Sequence, residues 1–193
     1  MHCRTLFTLL PLLPLLGLTA TASPISTRVA EATEAAGCSD ISFKSMSWTA
    51  SNFDFQASVI YTTPAHLGLA DGYASFDLFN PADQSTTHCH AASHQFPDFF
   101  YGTVQYKCDD TRSSFDFNRV SGQLRVNQSW VCSDRDPQHP ITFTGRGDGK
   151  LTLKCTDRTW VNPKWVLGEI YSSRKTICAP AESEIKLTEL SVA

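Results

Sequence analysis

The sequence predicts an all-β fold, an antiparallel β-barrel or sandwich stapled by three disulfides, and three observations carry that prediction. Apolar residues alternate with polar ones in short runs, as in Phe115 and Phe117, Leu124 and Val126, Ile141 and Phe143, and Leu151 and Leu153. Alternation at period two buries one face of a strand and wets the other. From Cys38 onward no stretch keeps a helical period over several turns. Cysteines punctuate these runs, and an even set in a small domain argues for bridges that constrain the unfolded chain.

Taken in order, residues 1–22 have the three parts of a secretory signal peptide. Arg4 gives the positive end, Leu6 to Leu18 form a short apolar core, and Ala20-Thr21-Ala22 offers small residues for cleavage. That core is short of the roughly 20 apolar residues that span a bilayer, and no other apolar run is longer. The expectation is a secreted, extracellular chain with no membrane association after cleavage. Residues 23–37, rich in Ala, Thr, Glu and Ser, read as a flexible segment, and residues 38–193 as a single β domain.

Cleavage removes Cys3 and leaves Cys38, Cys89, Cys108, Cys132, Cys155 and Cys178. Sequence alone does not choose among their pairings. The most economical set is nested: Cys89 with Cys108, Cys132 with Cys155, and Cys38 with Cys178. Without Arg4 the charge is 15 basic against 19 acidic residues, or −4. Mild acidity with no basic run argues against nucleic acid or an anionic membrane as partner.

Within the domain, Ile41 and Phe43 alternate ahead of Trp48. Phe53 and Phe55 lead to Val59 and Tyr61, and a loop from Pro64 to Gly72 precedes Ala74, Phe76 and Leu78. Asn80-Pro81 ends that strand, since proline cannot donate to a ladder. Val166 to Tyr171 and Glu184 to Val192 are the last strand candidates. Eight to ten short strands are expected.

The order of features is Tyr73-Ala-Ser-Phe-Asp-Leu-Phe, His88-Cys89, Tyr106-Lys107-Cys108, Ser114-Phe-Asp-Phe, then Gly122 through Trp130-Val-Cys132 and Lys150 through Cys155. This resembles the fungal secreted β-barrel proteins related to the major allergen of Alternaria. The resemblance implies an extracellular β-barrel with no known catalytic centre, of a kind described as allergens or as proteins acting at a host plant surface. It makes Cys89–Cys108 the family's best-supported bridge. Cys178 lies outside the family pattern, and the Cys132 to Cys155 loop is longer than expected. A Cys38 bridge into the Cys89 to Cys155 region would count against the resemblance. Some members dimerise through an early cysteine, whereas the even count here favours internal pairing of Cys38; the oligomeric state stays open.

Several residues suggest chemistry. His88, His90 and His94 flank Cys89 and offer imidazole nitrogens, yet no supporting ligand is evident and they read as solvated histidines; no metal and no cofactor is implied. Asp109-Asp110 and Asp134 with Asp136 supply the residue type of a glycosidase pair but sit in turn-like contexts where Asp caps backbone. No G-x-S-x-G elbow is present, and the chain reads as non-enzymatic. Trp130, in phase with Leu124 and Val126, reads as core. Phe99, Phe100, Tyr101 and Trp160 lie in loop-like contexts and are the expected exposed binding residues. Asn127-Gln128-Ser129 is a glycosylation sequon, usable if Asn127 faces solvent. Arg146-Gly147-Asp148 falls in a glycine-rich stretch, Thr144 to Lys150, that reads as a hairpin turn.

The functional expectation is an effector-, elicitor- or allergen-like small cysteine-rich protein that binds a host or extracellular protein through its loops. The alternative is a carbohydrate-binding module for cell-wall polysaccharide.

Overall fold

A computed structural model describes residues 36–44, 46–65 and 68–193. The chain divides into units Met1–Glu34 and Ala35–Ala193. The signal-peptide reading and nearly all of the 23–37 segment lie outside the described residues.

One short helix and ten strands follow in order: α1 (Cys38–Phe43), β1 (Ser47–Tyr61), β2 (Gly68–Asn80), β3 (Ser85–Ser93), β4 (Tyr106–Lys107), β5 (Ser113–Asn118), β6 (Gln123–Cys132), β7 (Ile141–Lys150), β8 (Cys155–Val161), β9 (Ser172–Cys178) and β10 (Ala181–Val192). The fold is all-β, and the wall runs β3-β2-β1-β10-β7-β6-β5-β4. Cys89 and Cys108 form an isolated antiparallel bridge between its two ends. Beside it the Asp109 amide donates to the His88 carbonyl at 2.9 Å. The sheet is therefore a nearly closed antiparallel barrel, which leaves little open edge.

β1 is long enough to serve two neighbours on one edge. Its first half pairs with β10, Ser47 opposite Lys186, and its second half pairs with β9, Gln56 opposite Ile177. The register shifts between Ala50 and Phe53, around Asn52 at φ 55°. An extra residue there bends the strand, and asparagine tolerates the left-handed region better than most residues. The bend carries β1 from the barrel wall onto a separate hairpin, β8–β9.

The core is aromatic. Trp48 meets Trp130 edge-on at 6.0 Å, and Trp130 stacks on Phe143 at 5.7 Å. Further along, Phe53, Phe76, Phe115 and Phe117 pack with centroids 4.9 to 5.8 Å apart. Trp130 is fully buried beside Leu124 and Val126, as the alternation of β6 predicts.

Four expectations are corrected. Ile41 and Phe43 belong to α1 rather than to a strand. That helix lies across the barrel end, where Ser42 Oγ accepts the Trp130 indole N–H at 2.8 Å. Its first turn is capped from the β6–β7 loop, the Asp134 carboxylate accepting from Ser39 N at 3.2 Å and from Ser39 Oγ at 2.6 Å. Arg146-Gly147-Asp148 is not a turn but the middle of β7. Gly145 and Gly147 face inward there because the Trp48 ring occupies the space; a β-carbon on either would lie 3.1 Å from it. Val166 to Tyr171 is loop, and the strand begins at Ser172. β2 starts at Gly68, inside the stretch expected to be loop.

Of the nested bridges, Cys89–Cys108 is present, and the other two are replaced by Cys38–Cys132 and Cys155–Cys178. The topology dictates the exchange. Cys132 ends β6 at the barrel mouth that α1 covers, while Cys155 and Cys178 stand directly opposite each other on β8 and β9.

Candidate binding surface

The aromatic cluster expected at the surface is mostly interior. Phe99 and Phe100 are buried, and only Tyr101 of the three is exposed. A barrel built of large rings needs its ends filled, and the segment after β3 folds back to do so. Phe100 packs on Phe55, Tyr106 and Phe117 at 5.6 to 6.1 Å. Phe99 lies over Gly72, where a β-carbon would come within 2.7 Å of its ring. Both phenylalanines have positive φ, 49° and 36°. The turn is held by the Phe100 amide donating to Ser93 Oγ at 3.1 Å and the Tyr101 amide donating to Gln95 Oε1 at 3.0 Å.

Trp160 is half-exposed, and its neighbours form a surface the sequence did not reveal. The β8–β9 hairpin hangs off the second half of β1 and is bridged at its base by Cys155–Cys178. Its connecting loop, residues 162–171, is braced from within. Asn162 N donates to the Tyr171 carbonyl at 2.8 Å, and Lys164 N to Asn162 Oδ1 at 3.1 Å. The Trp165 indole donates to the Glu169 carbonyl at 2.9 Å, and its ring meets Tyr171 edge-on at 5.9 Å. Gly168, at φ 101°, turns the tip. Braced in this way, the loop presents aliphatic side chains: Leu167 is 85% exposed, Val166 58% and Ile170 45%.

The apolar character continues across the outer face. Cross-strand pairing places Trp160, Ser173, Ile60 and Leu69 in one row over β8, β9, β1 and β2. Leu69 is exposed and borders an open cavity of about 590 Å³ that Ile60, Tyr61, Ala70, His94 and Phe96 also line. One row back, Arg158 and Lys175 stand directly opposite each other. Among the described residues neither has an acidic partner. Like charges in that position repel. Residues 154–178 carry five basic and two acidic side chains, +3 in a chain of −3.

His88 and His90 lie on β3, and His94 follows it at the rim of the cavity. Nδ1 of His88 is 2.9 Å from Asp77, Nδ1 of His90 is 3.5 Å from Asp109, and Nδ1 of His94 is 3.5 Å from Asp71. Hydrogen bonds from Asn52 and His88 hold the Asp77 carboxyl below its usual range. The His88 and His90 rings stack at 5.8 Å, and His94 Nδ1 also lies 3.1 Å from the Ala70 carbonyl, but the three Nδ1 atoms face three different aspartates. Among the described residues no group of three or more His, Cys, Asp or Glu is placed to hold a metal ion. The four aspartates considered for glycosidase chemistry serve local contacts. Asp109 faces His90, and Asp110 accepts from the Arg112 amide at 3.0 Å. Asp134 caps α1, and Asp136 accepts from the Gln138 amide at 2.9 Å. The Ser39 hydroxyl holds Asp134 below its usual pKa, and the His139 ring does the same for Asp136.

The nearly closed wall and its bridges define a small cysteine-rich β-barrel protein. The model of the AltA1 family, Alternaria alternata allergen 1, matches residues 50–178, and the chain belongs to that family. No curated protein and no solved structure matches it. Cys38 pairs into the region that counted against the resemblance, but it lies outside the matched span and membership does not depend on it. Cys89–Cys108 lies within the match. An allergen family and three disulfides are consistent with a secreted protein.

Proposed function

We propose that this chain is a secreted, non-enzymatic, effector- or elicitor-like protein that engages a host or extracellular protein partner through the tip of the β8–β9 hairpin. One observation carries the reading: a loop braced by its own hydrogen bonds leaves Leu167, Val166 and Ile170 in solvent. Exposed apolar side chains on a rigid support suit binding, because they anchor an interface and little ordering entropy remains to be lost. The bridge at the hairpin base keeps the tip in place before contact. Family membership supports the reading by placing the chain among allergen-like proteins.

Purified mature protein is incubated with plant apoplastic proteins and, in parallel, with insoluble chitin, β-glucan and cellulose. Retention of one apoplastic protein by the wild type, lost in Leu167→Asp, is the expected result. Half-exposed Trp160 favours the second reading, a carbohydrate-binding module. Polysaccharide binding lost in Trp160→Ala would replace the first reading with it.

A further inference from the structure

Alternation along β6 sends Leu124, Val126, Gln128 and Trp130 inward and turns Arg125, Asn127 and Ser129 outward. The amide and the hydroxyl of the sequon therefore both emerge on the solvent side of the wall. Asn127 stands between Ser114 of β5 and Arg146 of β7. Its Oδ1 accepts from Arg146 Nε at 3.0 Å, and its Nδ2 donates one hydrogen to Gln105 Oε1 at 3.2 Å. A primary amide has two N–H groups, and among the described residues the second has no acceptor. A glycosidic bond in place of that second hydrogen would leave both existing hydrogen bonds intact.

The surroundings suit a sugar. Two open depressions, of about 480 and 370 Å³, meet at Asn127, Arg146 and Glu189. Thr103 and Gln105 border the larger, and Thr144 and Ser191 the smaller. Hydroxyl, amide, guanidinium and carboxylate groups are the donors and acceptors that sugar hydroxyls and an acetamido group require.

We propose that Asn127 carries an N-linked glycan whose first N-acetylglucosamine units lie in these depressions against Arg146 and Glu189. In the transfer, Asn127 Nδ2 attacks the anomeric carbon of a lipid-pyrophosphate-linked oligosaccharide. The N–C1 bond forms, the C1–O bond breaks, the lipid pyrophosphate leaves with the bonding electrons, and the displaced amide proton passes to a base of the transferase. Transfer precedes folding, because in the finished barrel β6 is paired on both edges and Cys132 is already bridged to Cys38. The glycan then covers the wall of β5, β6, β7 and β10. The β8–β9 hairpin, attached to β1, stays open. The inference rests on the secreted reading, since only a chain entering the secretory pathway meets this donor.

The full chain is expressed in a secreting yeast under its own leader and, separately, under a yeast leader. Intact mass is measured before and after peptide-N-glycosidase, with Asn127→Gln and Ser129→Ala as sequon-breaking variants. The proposal expects a mass excess in the secreted wild type that the enzyme removes, Asp at position 127 after removal, and no excess in either variant. Secreted chain with unmodified Asn127 overturns it. Export under the yeast leader alone, with Asn127 modified, sinks the secreted reading and leaves the site standing. For the seat, chain trimmed to one sugar is examined by nuclear Overhauser spectroscopy. Contacts from the acetamido methyl to Thr144 or Leu190 are expected, and a freely tumbling sugar overturns the seat.

Discussion

A β-carbon at Gly147 would lie 2.9 Å from the Lys186 carbonyl oxygen, 3.0 Å from Ile185 Cγ2 and 3.1 Å from the Trp48 ring. Such overpacking costs about 1–3 kcal/mol, so Gly147→Ala should lower the unfolding free energy by that amount, read as a lower urea midpoint at unchanged m-value, while the fold survives. The same contact explains why Arg146-Gly147-Asp148 reads as a turn in sequence yet lies within β7. Glycine signals a turn in sequence, and here it makes room for a large ring from β1, two strands away in the wall. Phe99 and Phe100 are buried against expectation for a related reason: a loop context says nothing about whether the loop folds back over an open barrel end. Charge at this scale gives a pH prediction. Asp77, Asp134 and Asp136 are all held below the usual carboxyl pKa by hydrogen bonds from partners that include Asn52, His88, Ser39 and His139. A carboxyl whose folded pKa is depressed contributes stability that is present above its unfolded pKa and lost as pH falls through the folded value. Acid destabilisation should therefore begin below about pH 4. Denaturant melts from about pH 2 to 6 should show a shallower acid limb for Asp134→Asn.

Among the elements, the bridges separate stability from function. Cys38–Cys132 spans 94 residues and Cys155–Cys178 spans 23. In the chain-entropy model these contribute about 4.7 and about 3.4 kcal/mol. Thermal unfolding should fall further for the double replacement Cys38→Ala with Cys132→Ala than for Cys155→Ala with Cys178→Ala. Partner binding should show the reverse order, because only the second bridge holds the hairpin. Legibility in the sequence also divides by element. β1, β2, β5 and β6 each bury apolar residues on one face and are readable from their alternation. β8 is exposed at every position, so its sequence carries no burial pattern to read. β9, attached to it, is polar on much of its length. α1 was hidden because six residues are too few to set a helical period against a strand.

For the whole molecule, net charge concealed a local imbalance. The chain is mildly acidic, yet the hairpin is basic, with Arg158 and Lys175 opposed and without an acidic partner among the described residues. Exposed charges are screened within about 8–10 Å at physiological salt. If the partner supplies acidic groups to this pair, its association rate should fall as ionic strength rises, and Lys175→Ala should flatten that dependence. The barrel, its all-β class and its cysteine framework were accessible from local pattern. The hairpin surface was not, because Leu69, Ile60 and Trp160 fall into one row only through pairing between strands distant in sequence. The most direct test compares wild type, Leu167→Asp and Val120→Asp for retention of the captured apoplastic protein, with thermal melts alongside. Val120 is 70% exposed in the β5–β6 turn, away from the hairpin. The account predicts unchanged melts, roughly tenfold weaker binding for Leu167→Asp and wild-type binding for Val120→Asp. Wild-type binding by Leu167→Asp would contradict it.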